Sequence, residues 1–401
     1  MNKISEASKQ IEGQIIEWRR ELHRIPEVSH DLPKTADYIF RELQSLGVES
    51  IIKNVGILRN GAKSCGIIAD ITGTSNGKTL AIRADMDALP IREEVLSPFA
   101  SVNGNMHACG HDAHMAMLLG VVKLIAERRS ELKGKVRFIF QPAEETINGA
   151  VPMLLDGALY GVDAIIGLHT GTLWNEGKPG AIGFRTGALM ASTDRFIAQF
   201  KGKGGHGAMP HLTVDPVLMA CQSVCQLQSI ISREVSPLSP AVITVGMING
   251  GAAFNIIPDI VRIEGTLRTL DPELRKRLLL RITETIEGVA RSMRGSAEVT
   301  VIPGCGVVQN DDEVVLKMVN IAKQALGDDM AHVISEPTMG GEDFSAFLDK
   351  VEGAYFFHNA TFGDGRDMPH HNPKFQLNEL TLWSGTAAMT AFALYWQEDI
   401  W

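Results

Sequence analysis

The 401-residue chain is short of cysteine, of uncharged apolar runs and of positive charge, and each shortage removes a class of protein. Its five cysteines, at 65, 109, 221, 225 and 305, are odd in number and scattered, which is not the even framework of a disulfide scaffold. Reduced thiols in a cytoplasmic enzyme fit them better. No uncharged apolar run nears the roughly 20 residues that cross a bilayer. The opening stretch places Ile11, Ile15, Trp18 and Leu22 at helical spacing between charges, which reads as an amphipathic surface helix and not as an export signal. A formal net charge of −9 disfavours nucleic acid and anionic membranes as partners. No internal repeat, low-complexity tract or long linker interrupts the chain. The expectation is a soluble, cytoplasmic protein.

With 45% hydrophobic and 21% charged residues, the composition is that of a globular protein, and the length favours two domains over one. Pro26 and Pro33 punctuate before a helix from about Thr35 to Gly47. "CGIIADITG" and "KTLAIRADMD" are β-rich runs, and Ser75-Asn76-Gly77 between them predicts a hairpin. A helix over about 113–129 and the apolar strands "KVRFIFQ" and "VDAIIGLH" follow, a pattern that predicts an α/β layer on a mostly parallel sheet. The middle changes to strand 194–203, helix 215–232, strand 241–248, strand 259–268, helix 272–293 and strand 297–302. That order is βαββαβ, a ferredoxin-like α+β unit. The α/β pattern then resumes with a helix over 313–326. The expected division is a discontinuous domain, 1–186 with 301–401, interrupted by an inserted domain over 187–300.

The stretch "MHACGHDAH" concentrates one cysteine and three histidines in nine residues, and Cys109 with His111 offers the thiolate and imidazole that zinc-like metals favour. Taken alone, the pair is explained better by a His-rich solvated turn. Four further segments add to it. "VRFIFQ" runs into Pro142-Ala143-Glu144-Glu145, two carboxylates at the strand end where open α/β sheets bind ligands. One carboxylate can bind metal while its neighbour acts as general base. "VDAIIGLH" ends in His169, "MPHHNPKF" carries His370 and His371, and "RADMDALP" carries Asp85 and Asp87, either able to orient a ligating imidazole. Five strand ends or loops presenting such groups favour a metal site, and their number exceeds what one tetrahedral ion needs. Two metals sharing a water is the natural reading.

In order along the chain, "RRELHRIPE", "RADMDALP", "HACGHDAH", "FQPAEE", "GKGGHGAMPH", "NIIPD", "GTLR", "GGEDF" and "HHNPKF" resemble the amidohydrolase branch of the dinuclear aminoacylase/carboxypeptidase metallopeptidases. That branch holds hippurate hydrolases, N-acyl-amino-acid hydrolases and indole-acetyl-amino-acid hydrolases. The resemblance implies Cys109, His111, Glu145, His169 and His370 as metal ligands, Glu144 as general base and Asp87 as the carboxylate supporting a ligand histidine. It implies His206 as the group that reaches across a dimer to stabilise the oxyanion, and Asn255 and Arg268 as binders of the substrate carboxylate. The cofactors implied are two divalent ions, whether zinc, manganese, cobalt or nickel. The partners implied are a small N-acyl amino acid and a second copy, met through an inserted ferredoxin-like lid, with a tetramer as the alternative.

The implied reaction is hydrolysis of the amide of an N-acyl amino acid to a carboxylate and a free amino acid. A p-aminobenzoyl-glutamate hydrolase or dipeptidase with the same centre is the alternative, and a silent ligand-binding homologue is the rival from another class. Two segments depart from the pattern: "ETINGA" follows "PAE" where a glycine run is usual, and "TGTLWNEGKPG" follows His169 without the usual prolines. Both bear on acyl specificity and leave the ligands untouched. Cys221 and Cys225, one turn apart on a helix, read as buried packing residues. Gly340-Gly341-Glu342-Asp343 reads as a substrate-side loop or a tight turn, and nothing assigns His107 or His114 to the metal.

Overall fold

The structure is a computed structural model and describes residues 1–398. Its chain forms two compact units. The first comprises Met1–Leu189, Gln309–Glu336 and the stretch beginning at Asp343, and the second comprises Met190–Val308 with Pro337–Glu342. The second unit therefore starts close to the expected residue 187, runs eight residues past 300, and also takes up a short segment near 340.

The first unit is an eight-stranded sheet between helices. Across it the strands run Ser50–Ile57, Lys63–Thr72, Lys133–Gln141, Ser75–Asp85, Ala164–Gly171, Glu352–Asn359, Ile182–Phe184 and Ala331–Val333. The expected hairpin is not there. Lys133–Gln141 inserts between its two arms, antiparallel to Lys63–Thr72 and parallel to Ser75–Asp85. Ser75-Asn76-Gly77 opens a strand instead of forming a turn. Gly77 serves close approach, because a Cβ there would lie 2.8 Å from the Gly134 nitrogen. The centre of the sheet is parallel, and Ala164–Gly171 is buried at every position, as strands covered on both faces must be. The Ser75–Asp85, Lys133–Gln141 and Ala164–Gly171 strands end at the same edge, carrying the motifs of the sequence to one place. The helix His111–Glu127 is buried almost all round, packed by the helices Glu12–His23 and Leu382–Tyr395. Its first residue is His111, two positions earlier than the sequence suggested, and Gly110 at φ 86 makes the entry turn.

The second unit is a four-stranded antiparallel sheet in the order Ala241–Gly250, Ile260–Thr269, Ser192–Lys201, Ser296–Pro303. Helices Pro216–Glu234 and Pro272–Ser292 join its strands in βαββαβ order. Both helices start with an aspartate that caps two backbone N–H groups, Asp215 and Asp271, followed by proline at the first helical position. Phe196, Phe200, Leu227, Ile230, Leu278 and Ile282 form the core. Cys221 and Cys225 correct the sequence reading: both are exposed, because the buried stripe of their helix runs through Met219, Ala220, Ser223, Leu227 and Ile230. Among the described residues no helix is long and apolar enough to cross a membrane.

Gly265, mid-strand in this sheet, has no room for a side chain, since a Cβ would meet the Phe196 ring at 2.3 Å and the Thr244 carbonyl at 2.4 Å. Gly265→Ala should therefore cost about 1–3 kcal/mol, the usual penalty for overpacking. A urea midpoint matching wild type would show that the sheet is looser than this.

Candidate metal centre

The Ser75–Asp85 strand runs on into Met86 and Asp87, and Asp87 is fully enclosed. Its carboxylate accepts the backbone N–H of Glu144 at 2.9 Å and of Glu145 at 3.1 Å. Two successive N–H groups face one carboxylate because Ala143 takes the left-handed conformation, φ 61. The carbonyl of Asp87, meanwhile, accepts Nδ1–H of His111 at 2.9 Å. That bond turns His111 Nε2 toward the two glutamates, 3.9 Å from Glu144 Oε2 and 3.8 Å from Glu145 Oε1. Asp87 thus orients the histidine through its backbone and the glutamate turn through its side chain, a double role the sequence did not reveal.

Cys109 and His169 meet opposite them, Sγ to Nε2 at 3.4 Å, and His169 Nδ1 donates to the Thr170 carbonyl. Two sets of ligand-type atoms, each within 4.8 Å of one another, share Cys109: one with His111 and His169, the other with Glu145 and His371. The structure brings a ring nitrogen of His371, not of His370, to ligand spacing with Cys109 and Glu145, while the His370 ring packs edge-on against His169 at 5.0 Å. His371 Nε2 lies 3.3 Å from Glu145 Oε2, whereas His370 Nε2 accepts the Thr172 N–H at 2.9 Å and its ring lies against Phe375. His371 is left-handed, φ 63, so the backbone reverses between the two histidines. Nothing in "HHNPKF" separates them beforehand.

A third set, Asp85 with His111 and His114, is explained without an ion. His114 Nε2 accepts the Thr170 N–H and its Nδ1–H donates to Asp85, which uses both nitrogens. Asp85 also takes Arg83, buried to the last atom, at 2.7 Å. Arg83 in turn donates to Gln141 and to Asp343. Asp343 accepts Gln141 Nε2 at 2.7 Å and the N–H groups of Gly149 and Ala150 at 2.9 Å each. The "GGEDF" aspartate therefore clamps both ends of the turn that carries Glu144 and Glu145. The sequence signal was an arginine inside an apolar strand, which must find a buried anion. At the other end of the site, Asp112 anchors the first turn of the helix His111–Glu127 through Arg19 and His23 of the "RRELH" motif, at 2.7 Å each.

The charges are not balanced by the side chains alone. Burial works against a charged His111, yet Asp85, the bond to Asp87 and Glu145 raise its pKa to about 10. Burial and then the neighbouring carboxylates push the Cys109 thiol well above its usual range. Burial and the surrounding histidines drive His169 well below its ordinary value. Burial opposes ionisation of Glu145, but His371 and His111 hold its carboxyl low. His111 Nε2 and Glu145 Oε1 are buried without a hydrogen-bond partner, facing each other. A thiol, imidazoles and carboxylates so arranged fit divalent cations, which would take the orphaned lone pairs and favour the thiolate.

The remaining expected residues lie in the second unit. His206 is exposed on the short strand Gly205–His206, which pairs with Ile256–Ile257, and its Nδ1 accepts the Ala208 N–H. Asn255 adjoins it, its carbonyl accepting the Gly207 N–H at 2.9 Å. Arg268 lies further along the sheet and donates to the Met339 carbonyl at 2.8 Å.

Sheet, nest of ligands and unligated-type carboxylate are together those of a metal-dependent amide hydrolase. The chain belongs to Peptidase family M20/M25/M40, whose family model matches residues 81–395. It is 40% identical to the N-acetyl-L-cysteine deacetylase of Bacillus subtilis over 93% of this chain and 85% of that one. It is 41% identical to the N-acyl-L-amino acid amidohydrolase of Geobacillus stearothermophilus over 78% of this chain and 82% of that one. A solved dinuclear metal-binding M20 peptidase from Bacillus subtilis superposes with a TM-score of 0.82 at 36% identity, over 96% of this chain and 98% of the other.

The clamp has a measurable weight. Asp343→Ala would leave Arg83 with Asp85 and Gln141 alone and strand the Gln141 amide N–H and two backbone N–H groups, and should cost about 3–5 kcal/mol, as removing one partner of a buried charged network does. Chemical denaturation checks this, and a loss below about 1 kcal/mol would mean that Asp343 does not carry the turn.

Proposed function

We propose that the chain hydrolyses the amide bond of N-acyl amino acids, releasing a carboxylate and the free amino acid. The observation that carries this reading is Glu144, a buried carboxylate 3.9 Å from a candidate ligand histidine and beside a second carboxylate that reaches the Cys109 cluster. Two divalent cations would be held by Cys109, His111 and His169 and by Cys109, Glu145 and His371. When bound they supply Lewis acidity to the attacking water and to the scissile carbonyl. Cys109, as the one soft ligand, favours zinc or a later transition metal over magnesium or calcium.

The work of the chain's own groups follows. Asp87 fixes the Glu144 main chain, so the carboxylate stands in one place to take a proton from water and return it to the leaving amine. His206, with Nδ1 accepting a backbone N–H, carries its proton on Nε2, the donor an oxyanion needs. Asn255 and Arg268 would hold the free carboxylate of the amino acid, Arg268 by its fork geometry. The second unit serves as lid and as the contact with a second copy, which would bring His206 to the partner's centre. Its free edge strand Ala241–Gly250 supports this, since an unpaired strand edge is a template for pairing. N-acetyl and other small acyl groups are the first substrates to try, given the deacetylase and amidohydrolase relatives. The cytoplasm, with its reduced thiols, suits Cys109.

The test combines metal analysis with turnover on a panel of N-acetyl-, N-benzoyl- and indole-acetyl-amino acids. Glu144→Gln should keep the metal while losing about 10²–10⁴-fold in kcat. Turnover close to wild type would take Glu144 out of the role. In the same assay His371→Ala should lower the metal content and the activity together, whereas His370→Ala should keep the metal. The opposite pattern would restore His370 as the ligand.

A further inference from the structure

The first unit holds a pocket that the proposed reaction leaves unused. Its volume is about 560 Å³, and it lies between the helix Glu12–His23, the segment 93–99 and the segment 362–380. Small-molecule sites usually span roughly 300–1,000 Å³, with apolar walls and a few placed polar groups. None of Cys109, Glu145, His169 and His371 lines this one. Its buried charged groups answer one another: Arg19 reaches Asp112 and Glu379, and His23 reaches Asp112 and Glu93. The walls are apolar, from Ile16, Val95, Phe99, Phe362, Phe375 and Leu377.

Three polar groups of the lining stay open. Two are the exposed guanidiniums of Arg20 and Arg366, in a chain whose formal net charge is −9. Arg20 spends Nε and one terminal nitrogen on Glu379, which leaves its other terminal nitrogen without a partner among the described residues. Arg366 meets Asp364 through Nε at 3.2 Å, and both its terminal nitrogens are free in the same sense. Each guanidinium lies over a phenyl ring, Arg20 5.0 Å from the centre of Phe99 and Arg366 3.7 Å from that of Phe362. Such stacking holds a guanidinium in place, so less freedom is lost when it binds. The third group is the Ser97 hydroxyl, whose Oγ is buried with no hydrogen-bond partner. A buried polar group left unpaired costs about 1–3 kcal/mol, which favours an acceptor brought to it.

We propose that this pocket binds a small monocarboxylate with a flat apolar body, its head on the Arg366 and Arg20 guanidiniums and its body among the apolar walls. Open donors beside apolar walls call for an anion of mixed character, and the planar fork of arginine matches the two oxygens of a carboxylate. Each cation already faces one protein carboxylate, which suits one added charge better than the two of a phosphate. Aryl and aryl-acetic acids belong to this class. They are also the acid half of N-aroyl and N-arylacetyl amides, so the pocket would meet what the proposed reaction releases. The site itself needs nothing from the metals. It does share the segment 362–380 with the centre, since Phe375 lines it and its ring lies 4.6 Å from that of His370.

The experiment titrates benzoate and indole-acetate into the metal-loaded full chain by calorimetry, beside the variants Arg366→Gln and Phe362→Ala. Both acids should bind wild type. Arg366→Gln should weaken them about tenfold or more, the usual effect of losing a hydrogen bond to a charged group. Phe362→Ala, which removes the ring under Arg366, should weaken them several-fold. Turnover of N-acetyl amino acids should match wild type in both variants. Benzyl alcohol and acetate, which lack the head or the body, should bind more weakly than benzoate, and phenyl phosphate no more tightly. Equal affinity in wild type and Arg366→Gln would put any bound acid elsewhere and overturn the proposal, as would the absence of binding at millimolar acid. Benzyl alcohol that matched benzoate, or phenyl phosphate that exceeded it, would overturn the monocarboxylate. A chain that bound benzoate in this pattern yet cleaved none of the amide panel would keep this site and lose the proposed reaction.

Discussion

The centre depends on one buried carboxylate, that of Asp87, and on the need to satisfy it. Two backbone N–H groups of adjacent residues reach it, from Glu144 and Glu145. A hydrogen bond to a charged group contributes about 1.5–3 kcal/mol, against roughly 1–3 kcal/mol for holding Ala143 in a left-handed conformation. The bonds win, and the strained turn persists. The same residue offers its carbonyl to His111, so the imidazole and both glutamates take their positions from one point on one strand. A substitution at Asp87 would therefore act on base and ligands together, and its effect could not be assigned to either.

Around that point the acidic groups fall into two sets. Asp85 and Asp343 are answered from within the chain, by Arg83, His114, Gln141 and backbone N–H groups. Glu145 is answered only by histidines that are themselves ligand-type groups, and Cys109 beside His169 stays a thiol for want of a counter-charge. Burying an anion without a fixed counter-charge costs several kcal/mol. The site so built is stabilised by cations as much as it binds them, which ties metal loading to the stability of the first unit. Nearly all of this lies at one sheet edge because parallel strands put their ends side by side.

What the sequence made legible is what local chemistry dictates. Residue type and strand-end position marked Cys109, His111, Glu144, Glu145 and His169, and period-2 and period-3.6 patterns marked the βαββαβ order. Non-local geometry was out of reach. The Ser75-Asn76-Gly77 hairpin failed because Gly77 answers to a strand more than fifty residues away, at Gly134. His370 and His371 are adjacent and chemically identical, and only the backbone reversal at 371 separates them. Asp343 reads as part of a turn because its partners, Arg83 and Gln141, lie 260 and 202 residues before it. Cys221 and Cys225 read as buried from their apolar character, whereas the helix buries Met219, Ala220, Ser223, Leu227 and Ile230 instead.

The same distinction between type and place separates the two edges of the second unit's sheet. Ser296–Pro303 carries Glu298 and ends in a proline, two devices that keep a strand from pairing with another chain. Ala241–Gly250 carries neither, although an uncharged apolar edge of that length invites association. Proteins that must stay apart guard both edges of an open sheet. A sheet that guards one edge with charge and proline and the other only with a register shift between Val245 and Met247, beside a helix bare of charge, suits the contact proposed for the second unit. That contact would lie in the unit that also carries His206, Asn255 and Arg268. In this chain, then, the surface proposed to meet a second copy and the groups proposed to complete the active site share one small core, and what stabilises one supports the other.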